Sequence, residues 1–206
     1  MTDAVEVKQN DPSSNPMAGA RLTQNAGSGN SSPAMTASTG KRLPIDRGDL
    51  EMRIARDGTW FYRGSPIGRL PLVKLFASVL RREADGRYWL VTPSERGLIE
   101  VEDVPFLAVA LAVEGQDQDQ ALIFRTNLDE FVTAGPDHPL RVETAASGEP
   151  TPYILVRDGL EARLARPVFY DLVERGMEEQ VGDKIEFGVR SRGMFFRLGD
   201  VGPDWE

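Results

Sequence analysis

The stretches "ARDG" at residues 55–58 and "VRDG" at residues 156–159 decide the fold prediction for this chain. Asp-Gly is favoured in two-residue hairpin turns because glycine tolerates positive φ. Alternating apolar residues precede each copy, as Met52 and Ile54 do in the first and "PYILV" does in the second. The segments "TWFYRG" and "LEARLA" follow as return strands. Each copy therefore predicts a β-hairpin.

A helix and a second hairpin follow each of these turns in the sequence. Pro71 and Pro167 each preset φ for the start of a helix. The segments "RYWLVT" and "GLIEV" predict the closing hairpin of the first unit, and "KIEFGVRSRGMFFRL" predicts that of the second. Pro71 and Pro167 are 96 residues apart, and Gly86 and Gly182 keep the same offset. This shared register predicts a duplicated hairpin–helix–hairpin unit.

The segment between the two units predicts another hairpin, formed by "VPFLAVALAV" and "ALIFRTN", and then a loop-like stretch, "LDEFVTAGPDHPLRVE". Many hairpins with one helix per unit favour an α+β protein, with antiparallel sheets that carry the helices on one face. The first 42 residues have few large apolar side chains, so we expect disorder there. The predicted organisation is a disordered tail (1–42), a first α+β unit (43–103), a central hairpin and loop (104–147) and a second α+β unit (148–206).

Composition restricts the classes of function. The formal net charge of −8 disfavours nucleic acid and anionic membranes as partners, since both repel an acidic surface. The chain contains no cysteine, which excludes disulfides, thiolate catalysis and cysteine-ligated metals. No apolar stretch is long enough to span a membrane, and the first residues do not have the pattern of a secretory signal. We therefore expect a cytoplasmic protein.

The order of several phrases resembles a known bacterial family. These phrases are "ARDGTWFYRGSPIGRLPLVKLF", "FRTN", "HPLRVE", "VRDGLEARLARPVFYDLVE" and a final Gly-Met-Phe-Phe segment. Together they resemble domain of unknown function 1285 over roughly residues 43–199. The resemblance implies a two-domain α+β protein with repeated motifs, no assigned activity and a suggested link to signal transduction. It supplies no catalytic residue to carry over.

The segments "FRTN" and "DHPLR" form the most polar concentration outside the tail. Arg125, Asn127, His138 and Arg141 flank one loop, and we predict that they line a site for a small anionic ligand, because arginine offers a bidentate fork. The alternative is that they satisfy the backbone groups of their own loop. His138 as a general base is disfavoured, since Pro136 and Pro139 flank it as in a surface turn.

Other polar groups give weaker predictions. The arginine and carboxylate of each Arg-Asp-Gly could sit at the rim of a pocket, but turn formation alone explains them. The acids Glu114, Asp117 and Asp119 indicate a solvated hairpin tip rather than a cation site, because Leu122 and Leu128 stand where a calcium loop needs Gly and Glu. The sequence thus predicts no catalytic residue, metal site or cofactor.

Three classes of function remain open. The favoured one is a non-catalytic protein that binds a small molecule or a protein partner in a cleft between two lobes, with a regulatory role. The second is a metal-dependent hydrolase that uses acidic residues. The third is a structural adaptor that binds protein through a sheet edge.

Overall fold

The first hairpin forms where the Asp-Gly pattern predicts it. The computed structural model describes residues 43–116 and 119–200, with β1 at Ile45–Ile54 and β2 at Trp60–Tyr62. The N–H of Ala55 donates to the carbonyl of Thr59, and the N–H of Gly58 donates to that of Ala55. The turn is therefore a three-residue loop rather than the two-residue turn expected, with Gly58 at φ 82° in the left-handed position.

The first sheet has six strands in the order β3-β2-β1-β6-β5-β4. After the first hairpin come β3 (Ser65–Pro66), α1 (Leu70–Ser78), β4 (Leu80–Arg82), β5 (Tyr88–Val91) and β6 (Glu95–Val101). Pro71 lies in the first turn of α1, as predicted, and β5 and β6 form the predicted hairpin. However, β1 pairs with β6 in parallel, so the expectation of purely antiparallel sheets is wrong.

The second sheet also has six strands, in the order β10-β11-β12-β7-β8-β9. Its strands are β7 (Phe106–Glu114), β8 (Ala121–Thr126), β9 (Phe131–Thr133), β10 (Leu140–Thr144), β11 (Pro150–Arg157) and β12 (Leu160–Leu164). The predicted central hairpin is β7–β8, but the segment expected to be loop-like contains β9 and β10. The pairing of β12 with β7 is again parallel.

The second Asp-Gly turn differs from the first. Arg157 lies directly opposite Leu160, so only Asp158 and Gly159 form the loop. Both residues have positive φ, 46° and 73°, as a two-residue type I′ turn requires. The two copies of the phrase thus form hairpins by two different turn geometries.

The second sheet curls, because its two edge strands are joined by a short connection. Only residues 134–139 separate β9 from β10, at opposite ends of the strand order. Within them, Gly135 and His138 exchange backbone hydrogen bonds of 3.2 and 3.1 Å, which folds the connection back on itself. A flat sheet of six strands would separate its edges by about 24 Å. The folded connection is too short for that distance.

A second helix and a third sheet complete the described chain. Helix α2 (Arg166–Val173) has Pro167 in its first turn, as predicted. It leads into an antiparallel sheet of β13 (Met177–Val181), β14 (Lys184–Ser191) and β15 (Met194–Asp200). The hydroxyl of Ser191, at the end of β14, donates to the carbonyl of Ala134 at 2.7 Å and accepts the N–H of Leu122 at 2.9 Å. These bonds anchor one end of the third sheet on the second sheet.

Two copies of one unit would have the same strand order. The strand orders of the two halves differ, so the predicted duplication is not found. In chain order each half runs hairpin, helix and three antiparallel strands, when the short β3 is set aside. In the first half, all of these strands join one sheet through the β1–β6 pair. In the second half, β11 and β12 pair with β10 and β7, and β13–β15 form a sheet of their own.

One hydrophobic core runs through both halves. It includes Ile54, Trp60 and Ala77 from the first half together with Phe106, Ile154 and Leu172 from the second. With fifteen strands and two short helices over the described residues, the fold is mostly β with curled sheets, so the predicted α+β class is confirmed only in part. The predicted disordered tail, residues 1–42, lies outside the described residues, as do Asp117 and the final six residues.

No helix in the described part of the chain combines the length and the apolar character that crossing a membrane needs.

Candidate functional site

Arg125, the first predicted ligand residue, lies on β8 and pairs with a carboxylate four residues away. Its Nη1 is 3.0 Å from Oδ1 of Asp129, and Nζ of Lys74 in α1 is 2.8 Å from the other oxygen. The hydrogen bonds from Lys74 and then Arg125 lower the pKa of Asp129 below its usual value. This ion-paired group joins the turn after β8 to helix α1 of the first half.

Asn127 holds the first Arg-Asp-Gly turn against the second sheet. Its Nδ2 donates to the carbonyl of Gly58 at 3.3 Å, and its Oδ1 accepts the N–H of Leu107 at 3.1 Å. Gly58 is buried, and a Cβ added there would lie 2.5 Å from Asn127 Nδ2. Asn127 is therefore a bridge between the two halves of the chain.

His138 lies in the folded connection between β9 and β10. Its Nδ1 is 3.0 Å from the carbonyl of Leu155. A carbonyl oxygen only accepts, so Nδ1 carries the proton and donates. This hydrogen bond fixes the connection on β11.

Arg141 lies on β10 and is held by two carboxylates. Its Nε and Nη2 bind both oxygens of Glu161 at 2.6 and 2.7 Å, and Nη1 binds Glu143. Its guanidinium also lies over the ring of Tyr153, 4.2 Å from the centroid. The hydrogen bond to Glu161 is the main reason why the pKa of Arg141 is raised.

The four predicted residues share no partner among the contacts described above. Arg125 pairs with Asp129, Asn127 with Gly58 and Leu107, His138 with Leu155, and Arg141 with Glu161 and Glu143. Each side chain binds a partner within the chain, which supports the alternative that they brace the structure. Binding of an anion by these residues stays a prediction.

Arg141 belongs instead to a polar seam along the junction of the halves, formed by Asp103, Arg141, Tyr153, Glu161 and Arg163. The strand register places Arg141 opposite Tyr153, and Tyr153 opposite Arg163. The three side chains therefore form one row across β10, β11 and β12.

Asp103, which ends the first half, closes this row. It accepts a hydrogen bond from the Tyr153 hydroxyl at 3.1 Å, and its other oxygen lies 3.7 Å from Arg163 Nε. Arg163 Nη2 donates to the carbonyl of Arg56 at 2.9 Å. Burial, and after it the charge of Asp103, raises the pKa of Tyr153 to about 12. The seam therefore holds a protonated tyrosine against a carboxylate.

The second Arg-Asp-Gly motif makes the reciprocal contact. Arg157 Nη2 donates to the carbonyl of Ala77 in α1 at 3.0 Å and lies 3.2 Å from Oε1 of Glu130. The first motif is thus bound by residues of the second half, and the arginine of the second motif is bound to the first half. The two motifs lock the halves together.

Sequence reasoning missed most of the seam. Of its members, the sequence analysis named only Arg141 as a site residue. A usable signal was the charge on Glu161 and Arg163, which alternates with buried Leu160, Ala162 and Leu164 along β12. That alternation indicates a polar face, although it does not reveal what covers the face.

A surface of a different kind lies on the third sheet. We call the exposed side chains of Met177, Val181 and Ile185 the third-sheet end. Along β14, Val189 is buried, Phe187 is half-buried and Ile185 is 54% exposed, although all three lie on the same face. The sheet therefore extends past the core at the end away from Ser191.

A cavity of about 430 Å³ lies on the first sheet, and its lining includes Asp49, Arg87, Leu98 and Glu100. The backbone of β1 is irregular beside it, because the pairing with β6 shifts register between Asp49 and Arg53. Within the described residues, no group of three or more histidine or acidic side chains is placed to hold a metal ion.

The fold and the seam define a mostly β protein in two parts that share one core. Family models match both parts: residues 41–104 match the N-terminal domain of DUF1285, a domain of unknown function, and residues 105–198 match the C-terminal domain of the same family. The chain belongs to the DUF1285 family, and the resemblance noted in the sequence is confirmed.

Two solved structures are similar to this chain. A DUF1285 family protein from Silicibacter pomeroyi DSS-3 is 47% identical, with a TM-score of 0.71, over 77% of this chain and 85% of that one. A second family member, from Shewanella baltica OS155, is 27% identical over 61% of this chain and 91% of that one, with a TM-score of 0.49. The comparison with curated proteins returned no match.

Proposed function

We propose that this chain is a non-catalytic binding protein that contacts another protein through the third-sheet end. The observation that carries the proposal is the exposed apolar surface of Met177, Val181 and Ile185 on a sheet that projects past the core. Met177 and Val181 lie on one face of this sheet and Ile185 on the other, and exposed apolar side chains on a projecting element are typical of protein interaction sites. A regulatory or signalling role fits such contacts and forms part of the proposal.

The locked junction between the halves supports a surface site over a cleft site. Asn127, a predicted ligand residue, instead holds the two halves together at Gly58, and Arg157 of the second motif does so at Ala77. Since both halves also share one core, opening a cleft there would break these bonds and expose apolar surface.

Site-specific photo-crosslinking in cells tests this proposal. A photoreactive residue at Ile185 and, separately, one at Val181 should capture the same protein. A photoreactive residue at Tyr62, which is exposed on the first sheet, is the control and should capture nothing. If neither position on the third sheet gives a product, the proposal is wrong.

A small-molecule function has one specific observation in its favour, the cavity on the first sheet. Asp49 and Glu100 give it carboxylates and Leu98 gives it apolar surface, which suits a ligand with an amine and an apolar part. A thermal-shift screen with metabolites tests it, because a ligand that binds the folded state raises Tm. Glu100→Gln should remove any such shift.

A further inference from the structure

The turn between β13 and β14 determines which backbone groups of β13 are free. Gly182 and Asp183 alone join Val181 to Lys184, which lie opposite each other. In a two-residue hairpin the closing pair exchanges both backbone hydrogen bonds, and bonded and non-bonded pairs then alternate. Met177, Glu179 and Val181 therefore bond to β14, whereas Glu178 and Gln180 direct their N–H and C=O groups to the other edge.

That outer edge is open to a further strand. Within the described part of the chain, β13 pairs only with β14. Edge strands are commonly protected by proline or by charged side chains, lysine above all. The sequence of β13, "MEEQV", contains neither lysine nor proline, and its one exposed charge is that of Glu178, which would attract a basic strand rather than exclude it. Met177 and Val181 are exposed on one face, and Ile185 is exposed on the other beside Gln180. An added strand would therefore meet the apolar Met177 and Val181 on one face and the polar Glu178 and Gln180 on the other.

The charges around this edge favour a basic partner. On β13 and in its turn, Glu178 and Asp183 are exposed carboxylates, and Lys184, which follows the turn, is the one exposed base from residue 177 to 185. Glu179 is already neutralised, because Arg190 binds both of its oxygens at 2.8 and 2.6 Å. A chain with a net charge of −8 also attracts basic segments at a distance.

We propose that the outer edge of β13 binds an extended segment of a partner protein in which apolar and basic residues alternate. The segment adds as a strand, with main-chain hydrogen bonds to Glu178 and Gln180, apolar side chains against Met177 and Val181, and basic side chains on the face of Glu178. This inference rests on the proposed function and specifies the partner's chemistry and binding mode. A second copy of this chain fits less well, because pairing two β13 strands brings two acidic edges together.

Peptide binding to the full chain tests the chemistry. The probe is a short labelled peptide of alternating valine and lysine, and its controls are a peptide of the same composition with all lysines first and one of alternating valine and glutamate. We expect the alternating lysine peptide to bind about tenfold more tightly than the block peptide by fluorescence anisotropy. The glutamate peptide should not bind. Equal affinity for the two lysine peptides overturns the proposal.

A matched pair of variants tests the binding mode. Gln180→Pro removes an N–H that faces the open edge and none that bonds to β14, so it should weaken peptide binding about tenfold and have the same Tm as Gln180→Ala, since both variants lose the side-chain bond to the Gly182 carbonyl. Gln180→Ala keeps that N–H and should bind like the unaltered chain. If both variants bind equally well, strand addition is wrong.

Amide NMR of the unaltered chain gives the same answer without any variant. Peptide-dependent shifts should centre on the N–H groups of Glu178 and Gln180, and shifts centred elsewhere overturn the proposal. Concentration-dependent dimers that Gln180→Pro abolishes, without peptide binding, would assign the edge to a second copy. If crosslinks at Ile185 persist in Gln180→Pro, the proposed function stands and only strand addition is wrong.

Discussion

At the scale of single residues, two glycines at equivalent places in the sequence have different surroundings. Gly58 and Gly159 both have positive φ. A Cβ added at Gly58 would lie 2.5 Å from Asn127 Nδ2, whereas a Cβ added at Gly159 would have no atom within 4 Å apart from its chain neighbours. Gly159→Ala should cost about 1–2 kcal/mol from backbone strain alone. Gly58→Ala should cost about 1–3 kcal/mol more, since Asn127 must also move. Urea unfolding of both variants measures the difference, and equal losses would contradict the docked position of Gly58.

Tyr153 predicts how stability depends on alkaline pH. Its pKa is raised from 10.0 to about 12 in the folded protein, so the folded state holds this proton more tightly than the unfolded state does. The resulting stability is fully present below pH 10 and is lost as the pH rises from 10 through 12. Tyr153→Phe should reduce this alkaline loss in unfolding experiments.

The same variant should be less stable at neutral pH by about 1.5–3 kcal/mol, because Asp103 loses its hydroxyl donor. Tyr170→Phe, at an exposed position of α2, is the control and should match the unaltered protein at every pH. An unchanged alkaline profile in Tyr153→Phe would show that other groups, such as Tyr88, whose pKa is also raised, account for the effect.

At the scale of elements, the arginines of the two repeated motifs are not equivalent. Arg157 binds Glu130 and the carbonyl of Ala77, whereas Arg56 is exposed and contributes only its backbone groups to the contacts described above. Arg157→Ala should destabilise the protein by about 1–2 kcal/mol, because the ion pair is partly exposed and one carbonyl loses its donor. Arg56→Ala should stay within about 0.5 kcal/mol of the unaltered protein. Thermal unfolding of the pair measures this contrast, and equal losses would contradict it.

The elements that the sequence predicts well are those defined by local chemistry. Asp-Gly with alternating apolar residues located both hairpins, and Pro71 and Pro167 located both helix starts. Alternation does not encode which strand lies alongside or in which direction, so the parallel β1–β6 pair was not predictable. Strand β9 has three residues with Val132 alone buried, which is too short a pattern to detect.

The candidate site was less predictable than the fold. Arg125, Asn127 and Arg141 each bind specific partners within the chain, and the sequence did not indicate those that are distant in sequence. Glu161 is 20 residues from Arg141, and Gly58 is 69 residues from Asn127. The third-sheet end was not detectable either, since Ile185 follows the apolar pattern of a core strand and is exposed only because the core ends before it.

At the scale of the whole molecule, the shared core predicts a single unfolding transition. Tryptophan fluorescence, to which the buried Trp60 and Trp89 contribute, and the far-UV circular dichroism of the sheets should report the same midpoint in denaturant. Residues 41–104 expressed alone should not fold, because Ile54, Trp60 and Ala77 would lose the apolar neighbours that the second half supplies. Two separate midpoints, or a stable first half, would contradict this prediction.

The docking of the Arg56 carbonyl on Arg163 has a consequence for synthesis on the ribosome. The two residues are 107 positions apart, so the first turn emerges long before its donor has been translated. At typical elongation rates this delay is about 5–20 s. During that interval the nascent first half exposes apolar surface that only later residues can cover, which makes it a natural client for chaperones that act at the tunnel exit.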